Sequence, residues 1–259
     1  MSQDEQKSIL EALRDDSNYY DRNGLGGKYL SNSDIGALLN NPRQFRVQDD
    51  KPVTPFLVGG YMHTIVLEPH KAGDYQVVDA TSRNSKVYKE AVEASDKNIL
   101  LLRHEQEQCH LWKEVVEASD ACRSLIHGDG TSIYEEPGIK NLYGEWWKGK
   151  ADVINKKQGV IVDLKTTGDI QKFKWSAKKY NYNSAAYIYS QIFGLDMVFV
   201  VIDKNTLQLG VYECEDSFVS EGEQKVEQAT EIYRKFYKGK TPEETKALLA
   251  NNVSHDFLF

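Results

Sequence analysis

Three β-branched residues in succession, Val160-Ile161-Val162, run from Gly159 into Asp163-Leu164, and no other stretch constrains the fold as tightly. A strand with one wet face alternates apolar and polar side chains, whereas this run offers no polar side chain before Asp163. It reads as a central strand buried on both faces. Thr131–Glu136, Leu142–Lys148 and Lys150–Asn155 look like strands leading up to it after Gly128-Asp129-Gly130. Met197–Asp203 and Gln208–Glu213 look like two more, joined as a hairpin through Lys204-Asn205-Thr206.

Helices bracket this β centre. Ser31 or Ser33 can cap a helix in which Ile35, Leu38 and Leu39 share a face, and Pro42 marks its end. Phe56–Leu67 reads as a second helix, with Gly59 and Gly60 permitting close packing near its start. Residues 84–126 are helix-rich, residues 171–193 return to helix, and an amphipathic helix spans Glu221–Tyr237. Thr241-Pro242-Glu243-Glu244 opens a last short one with good cap chemistry. The expected fold is α/β, a central mixed sheet flanked by helices, rather than a doubly wound parallel sheet. No Pro/Gly/Ser-rich linker divides the chain, so residues 1–28 read as a polar extension, a short helix and a loop, and residues 29–259 as one domain.

The composition removes several function classes. No run of about 18 apolar residues exists, so no membrane span is expected. The polar start, Met1 to Lys7, lacks the basic and apolar regions of a secretory signal. Cys109, Cys122 and Cys214 are odd in number and unpaired in spacing, as expected of reduced thiols in the cytoplasm. His104, Cys109 and His110 do not have the spacing of a zinc site, and no Gly-rich phosphate loop is present. A net charge of −7 argues against a protein that coats DNA by bulk electrostatics. It counts less against a nuclease, which needs carboxylates to hold metal.

The chemistry centres on Asp152, followed eleven residues later by Asp163-Leu164-Lys165. Positions i and i+2 of a strand share a face, so Asp163 and Lys165 can address one site, and Asp152 can meet them from a neighbouring strand. Two close carboxylates repel unless a cation bridges them, and a set of hard oxygen ligands suits Mg²⁺. A divalent cation and a lysine beside it are the parts needed to hydrolyse a phosphodiester. An isolated D-x-K triplet is more often a strand end with a solvated lysine, so the surrounding residues decide.

Those residues resemble the RecE-type phage and bacterial exonucleases (exonuclease VIII) of the PD-(D/E)XK superfamily over residues 28–195. The resemblance is carried by Leu30 to Asp34 with Asn41-Pro42, Gly59-Gly60-Tyr61-Met62-His63 through Glu68-Pro69, Glu135-Glu136-Pro137, Lys150-Ala151-Asp152 and Asp163-Leu164-Lys165-Thr166-Thr167. It implies a restriction-endonuclease-like core in which Asp152, Asp163 and His63 bind metal with the Leu164 carbonyl, and Lys165 is the catalytic lysine. Glu135 or Glu136 is a candidate further acid, the choice left open.

Two positions depart from the family. Lys150 stands where an arginine is usual, and Ser184 stands where a DNA-contacting glutamine is expected. Lys150, Tyr182, Asn183, Ser184 and Tyr187 are the candidate DNA contacts, with helix-to-sheet packing as the alternative for the tyrosines. The resemblance further implies Mg²⁺, replaceable by Mn²⁺, with up to two ions per site. Its expected activity is degradation of one strand of linear duplex DNA, 5′→3′, leaving 3′ single-stranded tails. A single-strand annealing protein as partner, a homo-oligomeric ring, and a bacterial cytoplasm with a phage or host gene complete the expectation. Rival readings are a structure-selective or restriction-type endonuclease and a non-catalytic DNA-binding protein on the same fold. The closing Phe257-Leu258-Phe259 is either a docking tip or domain packing.

Overall fold

The computed structural model describes residues 2–47 and 54–252; the Phe257-Leu258-Phe259 tip lies outside them. Its centre is a mixed sheet of β3 (Ile133–Leu142), β4 (Glu145–Asn155), β5 (Val160–Thr167), β6 (Asp196–Asp203) and β7 (Leu209–Glu213), in that spatial order. Neighbours are antiparallel except for the parallel pair β5 and β6. Parallel pairing needs a crossover, and α8 (Phe173–Lys179) and α9 (Tyr182–Phe193) supply it. A two-stranded parallel sheet, β1 (Val77–Val78) with β2 (Leu101–Leu102), lies apart from the main one.

The sheet is covered on both faces, as the β-branched run requires. Val162 and Leu164 point to one face with Val153, Val200 and Ile202, packing on Met62, Ile65 and Val66 of α4 (Thr54–Leu67). The same core takes in α6 (Arg103–Ala118) and α7 (Asp120–His127) through Trp112 and Ile126. Ile161 points the other way with Met197, Phe199 and Val201, toward α8 and α9. A further core joins α3 (Asn32–Asn40) and α10 (Asp216–Phe236) to α9 around the fully buried Trp147. Helices α5 (Lys86–Glu93) and α11 (Pro242–Ala250) lie farther from these cores, the latter opened by a Thr241–Glu244 capping box.

Three differences from the sequence expectation have local causes. The separate strands expected over 131–155 are one long hairpin, because Tyr143 and Gly144 both take positive φ (53° and 80°) in a two-residue turn. The helix expected over 171–193 is broken at Asn181, which is left-handed at φ 60°. The polar segment before residue 29 forms two helices rather than one, α1 (Gln3–Leu13) and α2 (Asp16–Tyr20), and Leu13, Tyr19, Tyr29 and Ile139 bury a small core of their own against β3.

Glycine admits α9 to the sheet. Gly138 and Gly149 face each other across β3 and β4, and a Cβ on them would lie 2.2 Å from Ile192 and 2.6 Å from Tyr189 respectively.

Candidate active site

The site forms where the ladder is interrupted. β4 pairs with β3 at Tyr134↔Val153 and again at Glu136↔Ala151, but not between them. Its pairing with β5 starts at Asn155↔Val160 and stops at Val153↔Val162. Asp152 is therefore without a strand partner on either side, and its carboxylate takes over that role by accepting the Leu164 N–H at 2.9 Å. Side-chain alternation breaks at the same place: Ala151 and Val153, two residues apart, belong to cores on opposite faces. Opposite Asp152, Glu135 sits at φ 50°. A left-handed non-glycine residue costs about 1–3 kcal/mol and persists where its surroundings over-determine it.

These irregularities converge on one point. Atoms of His63 (α4), Glu135 (β3) and Asp152 (β4) lie within 4.8 Å of one another, in the one set of three or more possible metal ligands among the described residues. The His63 Nδ1 is 3.3 Å from Asp152 Oδ2. Asp163 and Lys165 come in from β5 on the α9 side, the Lys165 ammonium touching the Asp163 carboxylate. Leu164 lies between them; its N–H faces Asp152, and the carbonyl of an extended residue points to the same strand edge.

The electrostatics are those of a site short of positive charge. Burial, and then the neighbouring Asp152 carboxylate, push the Glu135 carboxyl up to about 8. Burial also lifts Asp163 to about 6, with Lys165 opposing and Asp152 assisting. Burial alone would lower Lys165, but the Asp163 and Asp152 carboxylates outweigh it and hold the ammonium above its ordinary value. An imidazole and two carboxylates so placed make an N/O donor set that fits a divalent cation, with positions left for water and phosphate.

The expected site residues divide sharply. His63, Asp152, Asp163, Leu164 and Lys165 come together. Glu135 joins them, whereas Glu136 turns away to a two-pronged ion pair with Arg14 at 2.6 and 2.7 Å. Asp163 stands outside the three-ligand cluster and is engaged by Lys165 instead. Tyr182 is beside the site, its ring 5.4 Å from the Lys165 ammonium.

The other candidate DNA contacts are corrected by their burial. Ser184 is fully buried and donates to Asn32 at 2.6 Å and the Asn181 carbonyl at 2.9 Å. Asn183 accepts from Lys225 at 3.1 Å where α9 meets α10. Tyr187 is buried with its hydroxyl 3.1 Å from that of Tyr143. All three serve helix packing. Lys150 is also buried, held by Asp16 and the ring of Tyr19. Sequence reasoning missed the neighbourhood this creates: Asp16 also lies 3.7 Å from Lys71, which pairs with Glu68 at 2.7 Å. Glu68-Pro69 carried the only signal, as an unassigned part of the motif containing His63.

A mixed sheet interrupted at paired acids, with helices on both faces, defines a PDDEXK-like domain. The chain belongs to the family described as PDDEXK-like domain of unknown function (DUF3799), whose model matches residues 36–247. The chain is similar in fold to a crystal structure from Eubacterium rectale that bears a provisional exonuclease name. The two share 17% identity over 95% of this chain and 96% of that one, with a TM-score of 0.62. A phage-related exonuclease from Haemophilus somnus 129PT matches at 14% identity and a TM-score of 0.33, over 60% of this chain and 87% of that one. No curated protein matches the sequence. Among the described residues no helix is long and apolar enough to cross a membrane.

Proposed function

We propose that this protein is a divalent-metal-dependent exodeoxyribonuclease that degrades one strand of linear duplex DNA. The observation that carries the reading is the meeting of His63, Glu135 and Asp152 beside Asp163 and Lys165 at the break in the ladder. His63, Glu135, Asp152, Asp163 and the Leu164 carbonyl would hold the cation, taken as Mg²⁺ with Mn²⁺ able to replace it. When bound, it supplies Lewis-acid activation of the phosphodiester and of water. Lys165, kept charged by Asp163 and Asp152, offers an ammonium to the charge that develops on the phosphate oxygens. Tyr182 borders that ammonium and limits where a strand can lie.

The finer terms rest on the likeness to RecE-type exonucleases: 5′→3′ polarity, 3′ single-stranded tails, phage-type recombination in a bacterial cytoplasm, a single-strand annealing partner and a closed ring. A ring would hold DNA without a strongly basic protomer, in keeping with the net charge of −7. The test is digestion of end-labelled linear duplex with Mg²⁺, against covalently closed circles. The expected result is label release ordered from the 5′ end and intact circles. Efficient cutting of circles would transfer the assignment to an endonuclease, and metal-saturated protein that binds linear DNA without cutting it would remove the enzyme altogether.

A further inference from the structure

Beyond Lys165 the same strand opens into a cleft of about 340 Å³, lined by Thr166, Thr167, Lys172, Phe173, Tyr180 and Tyr182. Tyr182 is shared with the proposed active site, since its ring lies 5.4 Å from the Lys165 ammonium. The outer end of the cleft runs onto α8 and the Tyr180 that follows it, where the most exposed indole and phenol of this region stand, Trp175 at 64% and Tyr180 at 58%. Tyr180 and Tyr182 are a tilted pair at 6.2 Å, and the Lys179 ammonium sits 4.9 Å from the Trp175 ring and 5.7 Å from the Tyr180 ring. In a chain of net charge −7, the stretch between Asp169 and Asp196 holds Lys172, Lys174, Lys178 and Lys179 and not one acid.

We infer that this cleft and the exposed face of α8 bind single-stranded DNA, leading an unpaired strand to or from Lys165. The inference rests on the nuclease reading and adds the path of the strand. Flat aromatic faces beside ammonium groups are what a single strand uses, its bases stacking on the rings and its phosphates on the lysines. A duplex keeps its base faces stacked internally and cannot use them. Trp175 and Tyr180 keep most of their ring surface in water with the Lys179 ammonium beside them, so both rings are open to a base. Two of the lysines have acidic neighbours, Lys172 with Asp169 at 2.9 Å and Lys178 with Glu221 at 2.7 Å. Both are exposed pairs of small worth that a phosphate can displace.

Binding is measured without catalysis, as the fluorescence anisotropy of labelled oligothymidylate of about twelve nucleotides in EDTA. The expected result is that Trp175→Ala and Tyr180→Ala each weaken binding about tenfold, while Trp175→Phe keeps most of it. Replacing Lys172 and Lys179 together by alanine lowers the slope of log affinity against log salt by about 1.4. Wild-type affinity in Trp175→Ala and Tyr180→Ala overturns the inference. So does equal affinity for a blunt duplex of the same length, or tighter binding of oligouridylate. Because no hydrolysis is read, a chain that binds oligothymidylate through Trp175 but cuts nothing keeps the cleft and loses the nuclease. A chain that cuts DNA with binding indifferent to Trp175 and Tyr180 does the reverse.

Discussion

Asp152 does two things at once: it offers a carboxylate to the site and caps the Leu164 N–H that the interrupted ladder leaves over. Asp163 and Lys165 have no such structural bond to a strand, so their loss should fall on chemistry. Asp163→Asn and Lys165→Ala are each expected to cut DNA cleavage by at least about 100-fold, with the far-ultraviolet circular dichroism of the parent. Near-parental cleavage by either would place the active centre elsewhere. Glu135, together with the likewise raised Asp163, contributes to the pH dependence of stability. The folded Glu135 carboxyl holds a proton up to about pH 8, whereas an unfolded glutamic acid releases it near 4.5. Between those values the native state binds more protons, so stability falls as pH rises through that window and levels off above it. Without metal the melting temperature should decline from about pH 5 to pH 8, and Glu135→Gln should flatten the decline; an unchanged profile in the variant would contradict the burial of that carboxyl. Strand periodicity could relate Asp152, Asp163 and Lys165, but the triplet gained weight only from the motifs around it, Gly59 through Pro69 and Lys150-Ala151 among them. Periodicity could not choose Glu135 over Glu136, since that choice is made by one backbone angle, φ 50° at Glu135.

At the scale of elements, the close approach of α9 and α10 depends on Gly222. A Cβ there would lie 2.0 Å from the Asn183 carbonyl oxygen, which is backbone and cannot swing aside. Gly222→Ala is expected to destabilise the protein by about 1–3 kcal/mol, seen as a lower urea midpoint at unchanged slope. A midpoint within error of the parent would mean that the helices are held apart by more than that glycine. The same interface explains why Asn183, Ser184 and Tyr187 misled: a sequence motif places them on α9 but does not say which side of α9 meets α3 and α10. Elements whose pattern was self-contained were readable, as with the buried run of β5, the hairpin of β6 and β7, and the Thr241 cap of α11. The strand boundaries between 131 and 155 were not, because the turn uses Tyr143-Gly144 rather than an Asn-Gly or Asp-Gly pair.

For the whole molecule, the polar segment before residue 29 is less dispensable than its composition suggests. Leu13 and Tyr19 are buried, Arg14 holds Glu136, and Asp16 holds the buried Lys150 two residues from Asp152. Deleting residues 2–22 should expose Tyr29 and Ile139, lower the melting temperature and promote association; a truncated chain that melts with the parent would make the segment an appendage. Its role was hidden because a few apolar residues spaced among charges look the same in a solvated tail and in a docked one.

The short seam between β4 and β5 has a mechanical consequence. β4 runs for 11 residues but is stitched to β5 at only three, Val153, Ile154 and Asn155. The sheet is thus two ladders joined by a narrow seam and the Asp152–Leu164 bond, with Glu135 and Asp152 on one side and Asp163 and Lys165 on the other. A small rotation there changes the gap between the acids while leaving each ladder intact. Backbone amides of β4 and β5 that face that seam should exchange with deuterium sooner than those that link β5 to β6.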